Sequence, residues 1–239
     1  MQDVQTVRDY YLVERDHHRN IYQIWETGGA FNDSVTPSTW CEEYRQWIVE
    51  QLERKLRFDT SKRVLSIGCG NAFVEQVLCE KGYNVSGMDI NEWAVQLAQH
   101  KGVPAVVGDI YDWQPAEKNI DLLYCDGVLG HLYLQETRCQ VALARLQNWL
   151  KLDEGILLIS NDASKDGGAV VAAPGVKGFF HFSEQFITSE LRETGFELLE
   201  TASYLYDRPL SGPRRRLVVA GRAVGRAVVH AAGRAGLSH

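Results

Sequence analysis

The stretch KRVLSIGCGNAFVEQV, residues 62–77, decides the fold of this chain. Its apolar run at 64–67 predicts a buried strand, a tight glycine turn follows at 68–70, and a helix is expected to begin near Asn71. Glycines at such a turn let backbone N–H groups approach a ligand without a Cβ in the way. Asp89 ends the next apolar run about 20 residues further on, where a nucleoside-binding fold needs an acid for ribose hydroxyls. The stretch therefore predicts a ligand site at the end of its strand.

Composition limits the class of protein. The chain has 239 residues, of which 45% are hydrophobic, so it can bury one substantial core. The simplest organisation is one α/β domain with an additional segment. The formal net charge of −6 argues against a generic nucleic-acid-binding protein, because phosphate contacts require a basic face. RNA binding through the arginine-containing end of the chain is kept only as a minor alternative.

The cysteines and the hydropathy pattern indicate a cytoplasmic protein. The number of cysteines is odd and no CxxC pair occurs, so neither a disulfide framework nor a zinc site is expected. The N-terminus lacks the apolar core of a signal peptide, and no run of roughly 18 apolar residues suggests a membrane span. We expect reduced thiols at Cys41, Cys69, Cys79, Cys125 and Cys139.

From residue 62 onward, short apolar runs alternate with amphipathic stretches. This alternation indicates a mostly parallel sheet with helices on both faces, because parallel strands need long crossover connections. A ligand is then expected at the carboxyl ends of the strands. The pattern predicts strands at 63–67, 83–88, 104–107, 120–125 and 155–161, and helices at 71–81, 91–101 and 134–151.

The last part of the chain is predicted to complete the sheet. A helix is expected over 183–194, followed by strands at 196–199 and 216–220. These two strands would form an antiparallel hairpin through a connection at 204–213. The three arginines at 214–216 are interpreted as a solvated flank of that hairpin.

Two further regions are expected to surround the site. Residues 1–58 are helix-like and rich in aromatics, and we expect them to form an N-terminal helical cap or lid. Residues 59–221 would form the core domain, and residues 222–239 a basic tail. The glycine-rich segment 161–182 is long enough to be a functional loop. Its distal end either walls an acceptor pocket or covers the sheet, through Lys177, Phe179, Phe180 and His181.

Four motifs carry a family resemblance. In order and spacing, VLSIGCGNAF, MDI, GDIYDW and DLLYCDGVLGHL resemble the class I S-adenosylmethionine-dependent methyltransferases over residues 60–221. The resemblance implies an α/β, Rossmann-like sheet of seven strands, mostly parallel with a late antiparallel hairpin. It also implies S-adenosyl-L-methionine as the cofactor and S-adenosyl-L-homocysteine as its product. By position, the cofactor-binding residues would be Gly68, Cys69, Gly70, Asp89, Ile90, Asp109, Ile110 and Asp126.

The chain departs from the family pattern at two positions. The family commonly has an acid where this chain has Ser66, and often a third glycine where it has Ala72. Alanine is small enough to keep close helix packing. Loss of the acid, which helps to orient the methionine end of the cofactor, either weakens binding or is compensated by another group. A dehydrogenase is a more distant alternative, because the glycine turn does not continue into the dinucleotide pattern GxGxxG.

The fourth motif brings acid–base chemistry close to the methyl group. The ordinary pKa of a histidine lies near working pH, so His131 could take or orient a proton of the acceptor. In the small-molecule N-methyltransferases that the chain resembles, an N-terminal tyrosine closes over the cofactor, and Tyr10, Tyr11 and Tyr22 are the candidates. We assign candidate catalytic roles to His131, Tyr11 and Tyr22, the tyrosines acting by positioning. The expected reaction is methyl transfer to a nitrogen of a small-molecule acceptor in secondary metabolism. Transfer to an oxygen and a non-catalytic cofactor-binding module are the alternatives.

Overall fold

The chain forms the predicted seven-stranded sheet. The computed structural model describes residues 9–15, 17–31, 36–174, 176, 178–208 and 211–225. Lys177 and residues 226–239 of the predicted tail lie outside the described residues. The strands of the described ranges are β1 (Arg63–Ile67), β2 (Asn84–Asp89), β3 (Ala105–Val107), β4 (Leu122–Asp126), β5 (Ile156–Asp162), β6 (Val170–Ala172), β7 (Phe180–Phe182), β8 (Phe196–Arg208) and β9 (Gly212–Ala223).

Helices cover both faces of this sheet, as the alternating pattern predicted. A single 3₁₀ turn, Leu129–His131, follows β4, and residues 9–12 are also helical. The bounds of the α-helices in the described ranges are α1 (Ile21–Glu26), α2 (Pro37–Trp40), α3 (Glu42–Leu56), α4 (Phe73–Glu80), α5 (Glu92–His100), α6 (Gln140–Trp149) and α7 (Glu184–Glu193).

The order of strands places the ligand site. The main sheet runs β3-β2-β1-β4-β5-β9-β8, with β1 to β5 parallel and β9 antiparallel to both of its neighbours. The chain winds outward in opposite directions from β1 and β4, so a crevice opens where these strands end. Ile67 pairs with Met88 on one side and with Cys125 on the other. The residues that follow these three positions therefore meet at one edge of the sheet.

The hairpin at the far edge of the sheet is longer than predicted. β8 has 13 residues and β9 has 12. The expected connection at 204–213 is wrong, because Tyr204 pairs with Arg216 and Arg208 pairs with Gly212. The segment 161–182 also contains strands, since Val170 pairs with Phe182 in a small β6–β7 hairpin.

The helix α3 belongs to the layer that covers one face of the sheet. Tyr44, Ile48 and Leu52 are fully buried in one cluster with Val64 of β1 and Leu122 of β4. The shorter helix α1 packs elsewhere, at the mouth of the crevice. The predicted division at residue 58 stays a prediction. Within the described ranges, no helix combines the length and the apolar character that a membrane crossing requires.

Candidate active site

A cavity of about 510 Å³ opens at the carboxyl ends of β1, β2 and β4. The glycine turn and the loops after these strands form its floor, and the N-terminal segment contributes Tyr11, Tyr22 and Trp25 to its roof. All of the candidate residues chosen from the sequence line this one cavity, although their individual roles stay predictions. They are Tyr11, Tyr22, Gly68, Cys69, Gly70, Asp89, Ile90, Asp109, Ile110, Asp126 and His131.

The glycine turn is held by backbone hydrogen bonds and by close packing. The N–H groups of Gly68 and Cys69 both donate to the carbonyl of Met88, at 2.8 and 3.0 Å. Gly68 has a φ of +65°, and a Cβ at this position would lie 2.1 Å from Cγ2 of Val128. Gly70 has a φ of +51°, but a Cβ there would meet nothing within 4 Å. The first glycine therefore permits packing, whereas the second leaves the turn open to the cavity.

The acid at the end of β2 is fixed by the same turn. Asp89 accepts the backbone N–H of Gly70 through Oδ2 and that of Asn91 through Oδ1, each at 2.9 Å. Burial raises the pKa of Asp89 to about 6, although these backbone N–H groups oppose the shift. The carboxylate is thus held rigidly at the cavity wall, with a raised affinity for a proton.

The third motif lines the cavity beside this acid. Asp109 accepts the backbone N–H of Tyr111 at 2.9 Å, so it also caps the local turn. The guanidinium of Arg145 donates to the carbonyl of Ile110 at 2.7 Å. The side chain of Ile110 is almost fully buried and offers an apolar surface to the cavity.

The floor of the cavity rests on a buried arginine. Arg216 donates to Asp126 Oδ1 through Nη2, to Asp162 Oδ1 through Nη1 at 3.1 Å, and to Ser160 Oγ through Nε at 2.7 Å. The hydroxyl of Tyr44 joins this group, at 2.7 Å from Ser160 Oγ and 3.4 Å from Asp126 Oδ1. The charges of β4 and β5 are therefore neutralised from β9, beneath the cavity.

This arrangement corrects the interpretation of the arginine run. Arg216 is 1% exposed and Arg214 is 6% exposed, so only Arg215 matches the solvated flank that was predicted. Arg208 of β8 also donates to Asp162, and it is buried as well. Burial alone would raise the pKa of Asp162, but Arg216 and Arg208 outweigh it and hold that pKa below its ordinary value. Strand alternation explains the error, because residues 214 and 216 face inward and residue 215 faces outward.

His131 and Tyr11 meet above the floor. The hydroxyl of Tyr11 lies 2.7 Å from Nε2 of His131. Burial raises the pKa of Tyr11 well above its ordinary value and lowers that of His131 to about 4. The tyrosine therefore keeps its proton and donates it to Nε2, and we assign the ring proton of the neutral histidine to Nδ1. The pKa near working pH that was expected for His131 is therefore wrong, because burial of the ring lowers it.

The N-terminal segment is attached directly to the glycine turn. Tyr11 packs against Tyr22 and Trp25, with ring centroids 5.6 and 5.8 Å away. The side-chain amide of Asn71 donates to the carbonyl of Tyr22 at 3.1 Å and also to the carboxylate of Glu26. The roof of the cavity and the glycine turn are thereby joined through one residue that follows the turn.

The expected wall of late aromatics is placed differently. Phe179 packs against the ring of His131, with centroids 4.7 Å apart. Phe179, Phe180 and His181 are not among the residues that line the cavity. His181 instead lies in the buried charge cluster, with Nε2 4.0 Å from Asp162 Oδ2. The β6–β7 hairpin therefore supports His131 from behind.

Sequence reasoning missed an acid of the cavity wall. Ser66 donates its hydroxyl to the carboxylate of Glu75, which lies in the first turn of α4 and lines the cavity. A sequence signal for it exists, because Glu75 lies between Val74 and Leu78 on the buried face of α4, where an acid is unusual. Tyr124, Asn71 and Asn91 also line the cavity without having been predicted.

Sequence comparison connects this cavity to a reaction. Residues 40–201 match a family described as "Methyltransferase domain". The chain belongs to this methyltransferase family. The methyltransferase is 40% identical over 222 residues to a tabtoxin biosynthesis enzyme of Pseudomonas amygdali pv. tabaci, and the match covers 90% of this chain and 87% of the relative.

Two solved structures share the fold of this methyltransferase. The 1,6-didemethyltoxoflavin-N1-methyltransferase of Burkholderia thailandensis, with bound S-adenosylhomocysteine, has a TM-score of 0.62 and 24% identity, over 77% of this chain and 80% of that chain. The magnesium protoporphyrin IX methyltransferase of Synechocystis, with bound S-adenosylmethionine, has a TM-score of 0.64 and 21% identity. The match covers 93% of this chain and 98% of that chain. The enzyme uses S-adenosylmethionine as methyl donor, and the predictions of family, fold and cofactor are confirmed.

The polar atoms of the cavity fit this donor. Among the described residues, the buried side-chain atoms of the lining that have no protein hydrogen-bond partner include Asn71 Oδ1, Asn91 Nδ2, Tyr124 OH and Asp126 Oδ2. The open space at Gly70 lets a ligand approach the backbone of the turn. Hydrogen-bond donors and hydrogen-bond acceptors thus both remain available to a ligand, around a volume that suits a nucleoside joined to an amino acid.

Proposed function

We propose that this methyltransferase transfers a methyl group to a nitrogen of a small-molecule acceptor in natural-product biosynthesis. The biosynthetic part of the proposal is supported by the 40% identity to a tabtoxin biosynthesis enzyme. The choice of nitrogen is supported by one observation, the hydrogen bond between Tyr11 and a neutral, partly buried His131.

The pair of Tyr11 and His131 is a poor acceptor of a further proton. A histidine whose pKa is about 4 is a weak base, and its Nε2 already accepts the hydroxyl proton of Tyr11. A hydroxyl acceptor loses its proton during transfer and therefore needs a stronger base nearby. An amine that binds as the free base already offers its lone pair, and it loses its proton to solvent after methylation. The pair is therefore suited to orienting an amine, and it is poorly suited to activating a hydroxyl.

The donor site is proposed to follow the strand ends. When bound, S-adenosylmethionine supplies an electrophilic methyl carbon on its sulfonium. The glycine turn would hold the methionine part through its backbone, the acid after β2 would bind the ribose hydroxyls, and the third motif would border the adenine. The proposed donor-binding residues are Gly68, Cys69, Gly70, Asp89, Ile90, Asp109, Ile110 and Asp126.

The charge of the cavity also favours an amine. Glu75, Asp89 and Asp126 line it, whereas no lysine or arginine is among its lining residues in the described part of the chain. Oδ2 of Asp126 has no partner in the described residues, although Oδ1 binds Arg216. An amine attracted as its ammonium form would lose a proton to solvent before transfer, and it would lie between the floor and the roof residues Tyr11 and Tyr22, with His131 beside it.

Product analysis tests the proposal directly. The native enzyme is incubated with S-adenosylmethionine and matched panels of amines and phenols, and products are identified by mass spectrometry and NMR. We expect N-methylated products, and a rate that rises with pH as the acceptor amine loses its proton. A methyl group on oxygen or carbon, or a rate that is flat across the titration of the amine, would contradict the proposal.

The role of the Tyr11–His131 pair is tested by substitutions at two neighbouring tyrosines. Tyr11→Phe removes the hydroxyl from His131 and is expected to lower kcat about 10-fold, because one hydrogen bond of the orienting pair is lost. Tyr10→Phe is the matched control, since Tyr10 does not line the cavity, and it should retain native kcat. Equal activity of the two variants would show that Tyr11 has no orienting role.

A further inference from the structure

The serine that replaces an acid in β1 contacts an acid on the following helix. Ser66 is 1% exposed and donates its hydroxyl to Oε1 of Glu75, nine residues later. Glu75 is 4% exposed and lines the cavity next to the glycine turn. A carboxylate therefore stands within hydrogen-bonding distance of the strand position that lacks one.

The charge of Glu75 is not balanced by a cation. Within the described ranges, Glu75 forms no ion pair, and its hydrogen bonds come from the hydroxyl of Ser66 and its own backbone N–H. Asp126 in the same cavity is paired with Arg216, and Asp89 is held by three backbone N–H groups. Glu75 is thus a buried acid of this cavity whose negative charge is stabilised by neither a cation nor the three backbone N–H groups that hold Asp89.

The surroundings of Glu75 favour a positively charged ligand group. Burial raises the pKa of Glu75 to about 7, the bond from Ser66 opposes the shift, and Asp126 and Asp89 add to it. A cation beside this carboxylate would offset both the burial and the repulsion. The other titratable groups that interact with Glu75 are Cys69, Cys79 and Tyr124, and each is neutral when it carries its proton.

S-adenosylmethionine offers two positive groups of different chemistry. Its sulfonium has no N–H bond, so it cannot donate to a carboxylate. Its α-ammonium has three N–H donors, and charge-assisted hydrogen bonds between an ammonium and a carboxylate are among the strongest in proteins. A buried carboxylate with free acceptor capacity therefore selects the ammonium.

We infer that Glu75, oriented by Ser66, binds the α-ammonium group of S-adenosylmethionine and takes the place of the acid that is absent from β1. The assignment deepens the donor site proposed above and is independent of the acceptor. Glu75 is thus a cofactor-binding residue, and Ser66 is a positioning residue that acts through it. A product methylated on oxygen would overturn the proposed function and leave this assignment intact.

Binding of three ligands separates the groups of the cofactor. Calorimetry measures the affinity of native protein, Glu75→Gln and Glu80→Gln for S-adenosylmethionine, S-adenosylhomocysteine and 5′-methylthioadenosine, which lacks the amino acid part. Glu75→Gln is expected to weaken both amino-acid-containing ligands about 10- to 100-fold and to leave methylthioadenosine within about 2-fold of native. Glu80→Gln, an exposed acid at the end of the same helix, should change none of the three.

A double variant tests whether cofactor affinity depends on where the carboxylate lies and not on which residue supplies it. Ser66→Asp combined with Glu75→Gln returns the carboxylate to β1, and affinity for S-adenosylmethionine should recover relative to Glu75→Gln alone. Retained binding of methylthioadenosine demonstrates that each variant has folded.

Several results would overturn the assignment. These are native affinity in Glu75→Gln, an equal loss for all three ligands, or a loss for S-adenosylmethionine without one for S-adenosylhomocysteine. Absence of all binding in the native protein would overturn the proposed donor site as well.

Discussion

Replacing Arg216 with methionine is expected to reduce the free energy of unfolding by about 3–5 kcal/mol, because it breaks buried ion pairs. The guanidinium is 1% exposed and donates hydrogen bonds to Asp126, Asp162 and Ser160. Asp162 keeps Arg208 in the variant, but Asp126 loses the cation that neutralises it. For a chain of this size the melting temperature should fall by roughly 6–20 °C.

The assay compares Arg216→Met with Arg215→Met. Arg215 is the next residue of β9 and is exposed, so its replacement should change stability by no more than about 0.5 kcal/mol. Chemical denaturation followed by circular dichroism at neutral pH gives both values. A loss below about 1 kcal/mol in Arg216→Met, or equal losses in the two variants, would refute the reasoning.

The same variant has a defined pH dependence. The pKa of Asp162 is held below its ordinary value of 3.8, so its stabilising contribution is present above that value and is lost as pH falls through the depressed pKa. In Arg216→Met this pKa rises, because one of the two arginines is gone. The stability difference between the variant and the native protein should therefore be large at neutral pH and shrink in acid. A difference that is constant across this range would show that the loss is one of packing alone.

Two further predictions concern the glycine turn and the acid of β2. Gly68→Ala should lower the free energy of unfolding by about 2–4 kcal/mol, because its Cβ would lie 2.1 Å from Val128 and its φ is +65°. Gly70→Ala should lower it by only about 1 kcal/mol, because a Cβ there meets nothing within 4 Å. Denaturation curves of the two variants check this difference. Asp89→Asn should weaken S-adenosylmethionine and methylthioadenosine alike by about 10- to 100-fold, as calorimetry would show, because the ribose is common to both. Native affinity for both ligands should fall as pH drops through about 6, where Asp89 takes up a proton, and a pH-independent affinity would contradict that role.

The parallel half of the fold was predictable from local signals. Short, mostly apolar runs specify the boundaries of their strands, and Arg63–Ile67 and Ile156–Asp162 lie within one residue of the expected positions. The ends of parallel strands converge by topology, so Asp89, Asp109 and Asp126 were expected at one edge and lie there.

The antiparallel hairpin was not predictable in the same way. Its inward-facing charges, Arg208, Arg214 and Arg216, have the appearance of a solvated loop when only neighbouring residues are considered. Arg208 and Arg216 are buried because Asp162 and Asp126 arrive from β5 and β4, far away in sequence. A charged side chain can be buried when a residue of opposite charge is buried beside it. The spacing of residues along the sequence does not show which distant residue that is.

The hydrogen-bonded pair of Tyr11 and His131 shows a similar limit. Tyr11 and His131 are separated by 120 residues, so the sequence supplied several candidate tyrosines and did not indicate which of them contacts His131. The pKa of His131 depends on its partial burial, which follows from the packing of Phe179 and Tyr11 around it. Residue identity alone assigns the ordinary pKa, and the folded environment replaces it.

The contact between Ser66 and Glu75 has a consequence for recognising related chains. A search pattern that demands an acid two residues before the first glycine of the turn would reject this sequence, although a carboxylate lies within hydrogen-bonding distance of that position. A pattern that also accepts serine there, provided that an acid follows on the buried face of the next helix, would describe where the carboxylate lies in the folded protein. Chains collected in that way would share a carboxylate at the same place in space, although a sequence alignment would put that acid at two different positions.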